Sequence, residues 1–484
     1  MSTGFPFDLD TGDTDASKDN RIATGDALLT FARKLATSAG ERSALASQQA
    51  FWAGLNRNWE LLATTFQPEQ DDEYEHYLLG LLRVTRNAVA GESANQDHAY
   101  VSEPHIRRIL QQLTAGVWLT DDTYNLHVQG LTQLLSNVIT ANDALAQRLW
   151  ETYAALPGES SPILRLLYSR DIKTIIPTFV LVLNCTIDSA PRMQLMTESR
   201  TTLPLLDWID RATELGEEGD EGTVFQLGYT IFSNAFKLDL FDHLFVSLSI
   251  PSQPLPPAQF TLLKLYDSYL HSPSRPSTST ATVYSLLPAL LSLSEHVRRL
   301  QDQQQPEINV GQGMVLIHDI LNETVLEEDS RKQRDLRVVV ERSRGEDGLG
   351  VPESLIELLR HLISHAPATS PLDTRTEPSA PDALSYVNRS IVRLISTISH
   401  GSRDVQDRVG AAGGLEVILS LTTGDGRNPY LREHALFAVR NLLAGHLENQ
   451  RRVEVLELEG TEDASGGVTG LRLRAKGDGA ANGG

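Results

Sequence analysis

The sequence predicts an all-α protein built as a stacked array of helical repeats. Three observations carry that reading. Apolar positions recur at three- and four-residue spacing from about Ala27 to Asn449, short breakers rather than strand signals separate those segments, and one unit near the start of the chain returns near its end.

In chain order, residues 1–20 carry five aspartates, Asp8, Asp10, Asp13, Asp15 and Asp19, and lack the basic and apolar regions of a signal peptide. They read as a disordered acidic tail. Residues 21–250 read as N-terminal armadillo-like repeats. In DALLTFARKL, Leu28, Leu29, Phe31, Ala32 and Leu35 share one helix face, and YLLGLLRVTRNAV, LHVQGLTQLLSNVI and NDALAQRLWETYAAL repeat the rhythm between breakers such as Gly91, Gly116, Pro157, Pro191 and Pro204. The apolar run from Ile172 to Ile187 contains Lys173, Pro177 and Asn184 and is too short for a bilayer core of roughly 30 Å, so it reads as a buried helix pair. Residues 251–349 continue the repeats with insertions: Pro251 to Pro257, the Pro/Ser/Thr-rich stretch His271 to Thr282, and the mixed-charge stretch Glu327 to Gly350, which reads as a solvated helix or loop. Residues 350–455 form the last repeat domain, interrupted by an exposed linker at Ser364 to Asp382. Ser272-Pro273 and Ser370-Pro371 in these insertions are candidate sites for proline-directed kinases. Residues 456–484 are Gly-rich and read as a disordered tail, although VEVLELEG and VTGLRLRAKG alternate with period two and leave a small hairpin around Gly460 to Gly467 open.

The repeat signal is specific. Arg86 to Gln96 (RNAVAGESANQ) aligns with Arg440 to Gln450 (RNLLAGHLENQ) with six identities, and Ile398 to Val409 aligns with Leu442 to Val453, 44 residues on. Asn87, Asn137, Asn184 and Asn234 follow apolar stretches at intervals of 50, 47 and 50. These spacings suit armadillo or HEAT units, in which two or three helices bury their apolar faces only by stacking. An Asn held at one place in each unit has two readings: it bonds the backbone of an extended peptide on the inner face, or it ties one repeat to the next. The partner-binding candidates are therefore Arg86, Asn87, Asn137, Asn184, Asn234, Arg440 and Asn441.

Composition narrows function. Lys plus Arg total 42 against 63 Asp plus Glu, a formal charge of −21, and no basic stripe stands out. Nucleic acid and anionic membranes are not expected partners. The single Cys, Cys185, excludes a disulfide framework and suggests a reducing, intracellular setting. Gly311-Gln312-Gly313 lacks the rest of a dinucleotide turn, His361 and His365 lack a third ligand, and the acidic stretches Glu69 to Glu75 and Asp207 to Glu221 read as solvated loops. No cofactor, metal or enzymatic activity is expected.

The segment from about Gly350 to Val453 resembles the ataxin-10 family. The residues that carry the resemblance are Asn428-Pro429-Tyr430-Leu431-Arg432-Glu433-His434-Ala435, Ala438-Val439-Arg440-Asn441-Leu442-Leu443 and Glu448-Asn449-Gln450. Locally, Asn428-Pro429 starts a helix, Glu433 suits its first turn, and Leu436, Val439, Leu442 and Leu443 give its buried stripe. The resemblance implies a cytoplasmic armadillo-repeat scaffold that binds protein partners in cytokinesis and cell division, with self-association left open. Fungal members also carry a copper-transport name. Soft copper sites want Cys and Met clusters, whereas here only Met193 and Met196 lie close together, so copper homeostasis is an alternative through an indirect role.

Overall fold

The computed structural model describes residues 18–68, 72–116, 122–216, 218–273, 275, 283–300, 308–333, 335–365, 383–423, 429–462 and 468–475. The linker expected at 364–382 lies almost wholly outside them, as do most of residues 271–282, Ser370 and Pro371; of the tail expected at 1–20, residues 1–17 lie outside, while residues 18–20 are helical and begin the first helix instead of being disordered. The chain divides into two compact units, Met1–Leu240 and Phe241–Gly484.

The first unit holds α1 (Lys18–Thr37), α2 (Ala39–Ala44), α3 (Gln49–Thr65), α4 (Asp72–Ala88), α5 (Ser93–Tyr100), α6 (Glu103–Leu113), α7 (Asn125–Ile139), α8 (Asp143–Ala155), α9 (Pro162–Leu167), α10 (Ile172–Thr186), α11 (Ala190–Glu198), α12 (Thr202–Leu215) and α13 (Gly219–Lys237). The second holds α14 (Phe241–Ser247), α15 (Pro257–Leu270), α16 (Leu286–Arg299), α17 (Ile308–Ser330), α18 (Asp335–Arg342), α19 (Val351–Ser364), α20 (Ala383–Ser399), α21 (Arg403–Ala411), α22 (Gly414–Ser420), α23 (Pro429–Leu443) and α24 (Leu447–Glu454). A repeat is a short helix, a middle helix and a long one, as in α5–α6–α7, α8–α9–α10 and α21–α22–α23. The long helices pack side by side: α1, α4, α7, α10 and α13 form one ladder, and α15, α17, α20 and α23 form the other. Between Ala27 and Asn449 the described residues are helix, turn and one isolated bridge between Arg344 and Gly350, so the all-α solenoid is what forms.

The turn that ends each long helix is fixed by backbone conformation. Gly91 (φ +75) and Gly445 (φ +68), equivalent in the aligned units, are left-handed, and Ala141 (φ 56) and Asp188 (φ 54) take the same place after α7 and α10. A left-handed Ala costs about 1 kcal/mol, a cost borne because the turn sets the pitch of the array. The next helix is then capped from its own sequence, with Asn142 accepting from Leu145 N–H and Ser402 from Val405 N–H, and the long helix α10 is itself capped by Asp171, which accepts from Lys173 N–H. Trp59, Trp150, Tyr153 and Phe179 fill the first core, and the buried indole N–H groups find acceptors, Trp59 on Thr85 Oγ1 and Trp150 on the Arg192 carbonyl.

Four local expectations change. Ile172 to Ile187 forms one helix, α10, rather than a pair. Pro177 lies inside it and removes one backbone donor, but burial of Ile175, Phe179, Leu181 and Val182 holds the helix through that position. Asp207 to Glu221 is largely helical, in α12 and α13, because its acidic residues alternate with the buried Trp208, Ile209 and Ala212. The charged stretch 327–350 is not simply solvated: α17 runs on to Ser330, and in α18 Leu336 is fully buried and Arg337 only 4% exposed. Finally, β1 (Leu456–Glu462) and β2 (Val468–Ala475), expected within a disordered tail, pair as antiparallel strands, which realises the period-two alternation.

Candidate partner-binding face

The ladder asparagines bond backward. Asn87 on α4 donates Nδ2 to the Ala32 carbonyl of α1 at 2.9 Å, and Asn137 on α7 donates to the Arg86 carbonyl of α4 at 3.4 Å. Asn184 on α10 donates to Ser136 Oγ and Thr140 Oγ1, both at 2.9 Å. Asn441 on α23 donates to the Ser396 carbonyl of α20 at 2.9 Å and to its Oγ at 3.2 Å. The last carbonyls of a helix have no intrahelical donor, and Asn137 and Asn441 supply one to the long helix stacked before them; Asn87 instead bonds a carbonyl inside α1, and Asn184 bonds hydroxyls. Asn234 differs: its Oδ1 accepts from Lys237 Nζ at 3.3 Å on its own helix. The left-handed residue after α13 is Asp239, five positions on instead of four, so this turn is one residue out of phase.

A second set of ties was not anticipated. Asn95 donates to the Arg42 and Ala88 carbonyls at 2.8 Å, and its counterpart Asn449 donates to the Gln406 and Leu442 carbonyls at 3.1 Å. Gln96 reaches forward to the Asn137 and Thr140 carbonyls at 2.9 Å, as Gln406 does to Asn441 and Ala444. The signal was present: Asn95-Gln96 and Asn449-Gln450 are identical within the aligned unit.

With the amides turned inward, the exposed face of the ladder is set by other residues. Between α1, α4 and α7 lies a cavity of about 210 Å³ whose polar lining includes Arg33, Arg83, Arg86, Gln129 and Gln133, with no carboxylate. Arg86 donates from Nη1 to Gln133 Oε1 at 2.6 Å and from Nε to Asn87 Oδ1 at 3.4 Å. Burial, and then the charge of neighbouring Arg83, push its pKa down. Among the described residues neither Arg33 nor Arg83 forms an ion pair. In the second unit Arg393 is instead held by Asp319 (3.0 Å) and Glu323 (2.6 Å), and Arg408 is clasped by both oxygens of Glu353.

The last repeat exposes what earlier repeats cover. Leu82 on α4 is 1% exposed and meets Gly130 of α7. Its counterpart Leu436 on α23 is 52% exposed, beside Phe437 at 56% and Tyr430 at 58%. The buried face of α23 is Leu431, Ala435, Ala438 and Leu442, which corrects the expected stripe: small residues face the core, and of that stripe only Leu442 is fully buried. Among the described residues no long helix follows Gln450, which donates back to the Leu443 carbonyl at 2.8 Å. Arg440 lies exposed on α23.

Residues 387–480, which include this last repeat, match the model of the spinocerebellar ataxia type 10 protein domain. This C-terminal segment is similar to the ataxin-10 family. The ataxin-10 homolog of Dictyostelium discoideum is 37% identical over 70 residues, 14% of this chain and 12% of that protein. Human ataxin-10 is 27% identical over 121 residues, 24% and 26% of the two chains, and the Kluyveromyces lactis ataxin-10 homolog is 24% identical over 204 residues, 41% and 36%. The chain thus spans well under two thirds of these ataxin-10 relatives. Among solved structures, an engineered protein covers 90% of this chain and 98% of its own at TM-score 0.37 and 12% identity, and a chain from a cadherin and β-catenin study covers 89% and 72% at TM-score 0.30 and 14% identity.

No catalytic constellation assembles among the described residues, and no group of three or more His, Cys, Asp or Glu there is placed to hold a metal. Cys185 is fully buried and its thiol is pushed well up by burial. The His361 and His365 rings lie tilted by 31° with centroids 4.1 Å apart. No described helix is long and apolar enough to cross a membrane.

Proposed function

We propose that this protein is a non-enzymatic armadillo-repeat scaffold that binds protein partners, in the cytoplasm, in the control of cytokinesis and cell division. The observation that carries the scaffold reading is the open end of the array: Leu436, Phe437 and Tyr430 stand exposed at places that a further repeat would cover or flank. Large apolar side chains exposed on one helix in this way suit an interaction surface, and they lie in the segment that matches the ataxin-10 domain model. The same surface suits self-association as well as a different partner. The cytokinesis assignment rests on family resemblance. A direct copper carrier is disfavoured because Cys185, Met193 and Met196 are all fully buried.

The test is affinity capture from dividing cells with the wild-type chain and with Leu436→Asp/Phe437→Asp, beside sedimentation of each purified chain. The reading expects the double variant to fold normally yet lose captured cytokinesis proteins or self-association. Identical captured sets and identical sedimentation would sink it.

A further inference from the structure

We propose that the groove between α1, α4 and α7 is a binding site for an extended, carboxylate-rich peptide segment. This rests on the reading of the chain as a protein-binding scaffold and names the partner chemistry of one of its faces. In a chain of formal charge −21, three arginines converge on one cavity that no carboxylate lines. Arg83 and Arg86 are one helical turn apart on α4, and Arg33 on α1 is 50 residues before Arg83, the interval that also separates Asn87 from Asn137. Like charges gathered in this way destabilise the empty site, and at Arg86 burial first and then the charge of Arg83 disfavour the charged form. An anionic ligand relieves that repulsion. The nearby Asp171 is already engaged, accepting from Gln129 Nε2 at 2.8 Å and from Thr174 Oγ1 at 2.7 Å while capping α10.

The rest of the lining selects a peptide over a nucleic acid. Leu29, Leu79 and Leu126 supply apolar walls, and the Gln129 and Gln133 amides offer donors and acceptors suited to a peptide backbone. No aromatic ring lines the groove, so a nucleobase finds no stacking platform there. The acidic balance of the whole chain repels a long polyphosphate, whereas a short acidic segment feels chiefly the local arginines, within about 10 Å at ordinary salt. Arg33 and Arg83 would hold carboxylates by charge-assisted hydrogen bonds.

The experiment measures fluorescence anisotropy of a labelled deca-glutamate peptide against the full-length chain, wild type and Arg33→Glu/Arg83→Glu, with a labelled decauridylate and a deca-lysine peptide as further probes. Both substituted arginines are at the groove rim and outside any ion pair among the described residues, and a thermal melt of the variant verifies its fold. The expected result is saturable binding of deca-glutamate that weakens at least about tenfold in the variant and is lost at high salt, with neither other probe competing. Absence of deca-glutamate binding, equal binding by the folded variant, or equally tight decauridylate binding would overturn the proposal. The scaffold reading fails separately, on the α23 double variant, so a groove that binds nothing leaves that test standing.

Discussion

Arg83 on α4 and Phe437 on α23 occupy the same place in the repeat, three residues before Arg86 and Arg440, yet one brings positive charge to a groove and the other a ring 56% exposed. One residue earlier, Leu82 is buried against Gly130 while Leu436 stands open. The ties between repeats are nonetheless the same in both units: Asn87 and Asn441 each reach a carbonyl of the preceding long helix, and Gln96 and Gln406 each reach forward to the next. The stacking chemistry is constrained because every helix end leaves carbonyls to satisfy. The outward positions carry no such duty and differ with what each unit faces.

The largest effect should come from the leucine pair. Leu82→Ala removes a fully packed side chain and should cost about 2–5 kcal/mol of stability, whereas Leu436→Ala should stay within about 0.5 kcal/mol. Chemical denaturation of both variants checks this, and equal losses would break the equivalence between a covered and an open repeat.

A second prediction concerns pH. His318, buried between α17 and α20, bonds Ser390 Oγ through Nδ1 at 2.8 Å, and burial pushes its pKa from 6.5 down to about 3. The unfolded chain therefore takes up this proton first. Stability is full above pH 6.5 and falls as pH drops from 6.5 toward 3, by roughly 1.4 kcal/mol per pH unit. His318→Gln should flatten that slope in denaturation series at stepped pH, and an unchanged slope would show that this histidine is not what sets it.

The sequence made the fold legible for a definite reason. Helical period, breaker placement and the Arg86 to Gln96 unit are all local, and the solenoid is what such locally similar units build. The Asn ladder was legible as a repeat but its direction was not, because an amide at a given register points inward or outward according to which carbonyls the neighbouring helix presents. Asn234 shows the limit: its spacing fits, but the turn after α13 is a residue longer. The groove was hidden for a different reason. Arg33 and Arg83 share the 50-residue interval of the ladder, yet only the packing of α1 against α4 reveals that no carboxylate joins them. The face of α23 was misread because its core side is lined by Ala435 and Ala438, so the large apolar residues marked the exposed side instead.

The smallest effect is also the one that bears most directly on how the array works. Asn441→Ala and Asn87→Ala each remove a hydrogen bond to a carbonyl of the preceding long helix and should cost about 1–2 kcal/mol. Thermal melts of both variants, with anisotropy of the deca-glutamate peptide on each folded chain, measure the two consequences together. The account predicts a lowered melting temperature for both and, for Asn441→Ala, whose site is outside the groove that Asn87 lines, peptide affinity unchanged within about twofold, a shift of only ~0.4 kcal/mol. An unchanged melting temperature with affinity lost about tenfold would contradict it, and would make the ladder asparagines contacts for a partner rather than ties between repeats.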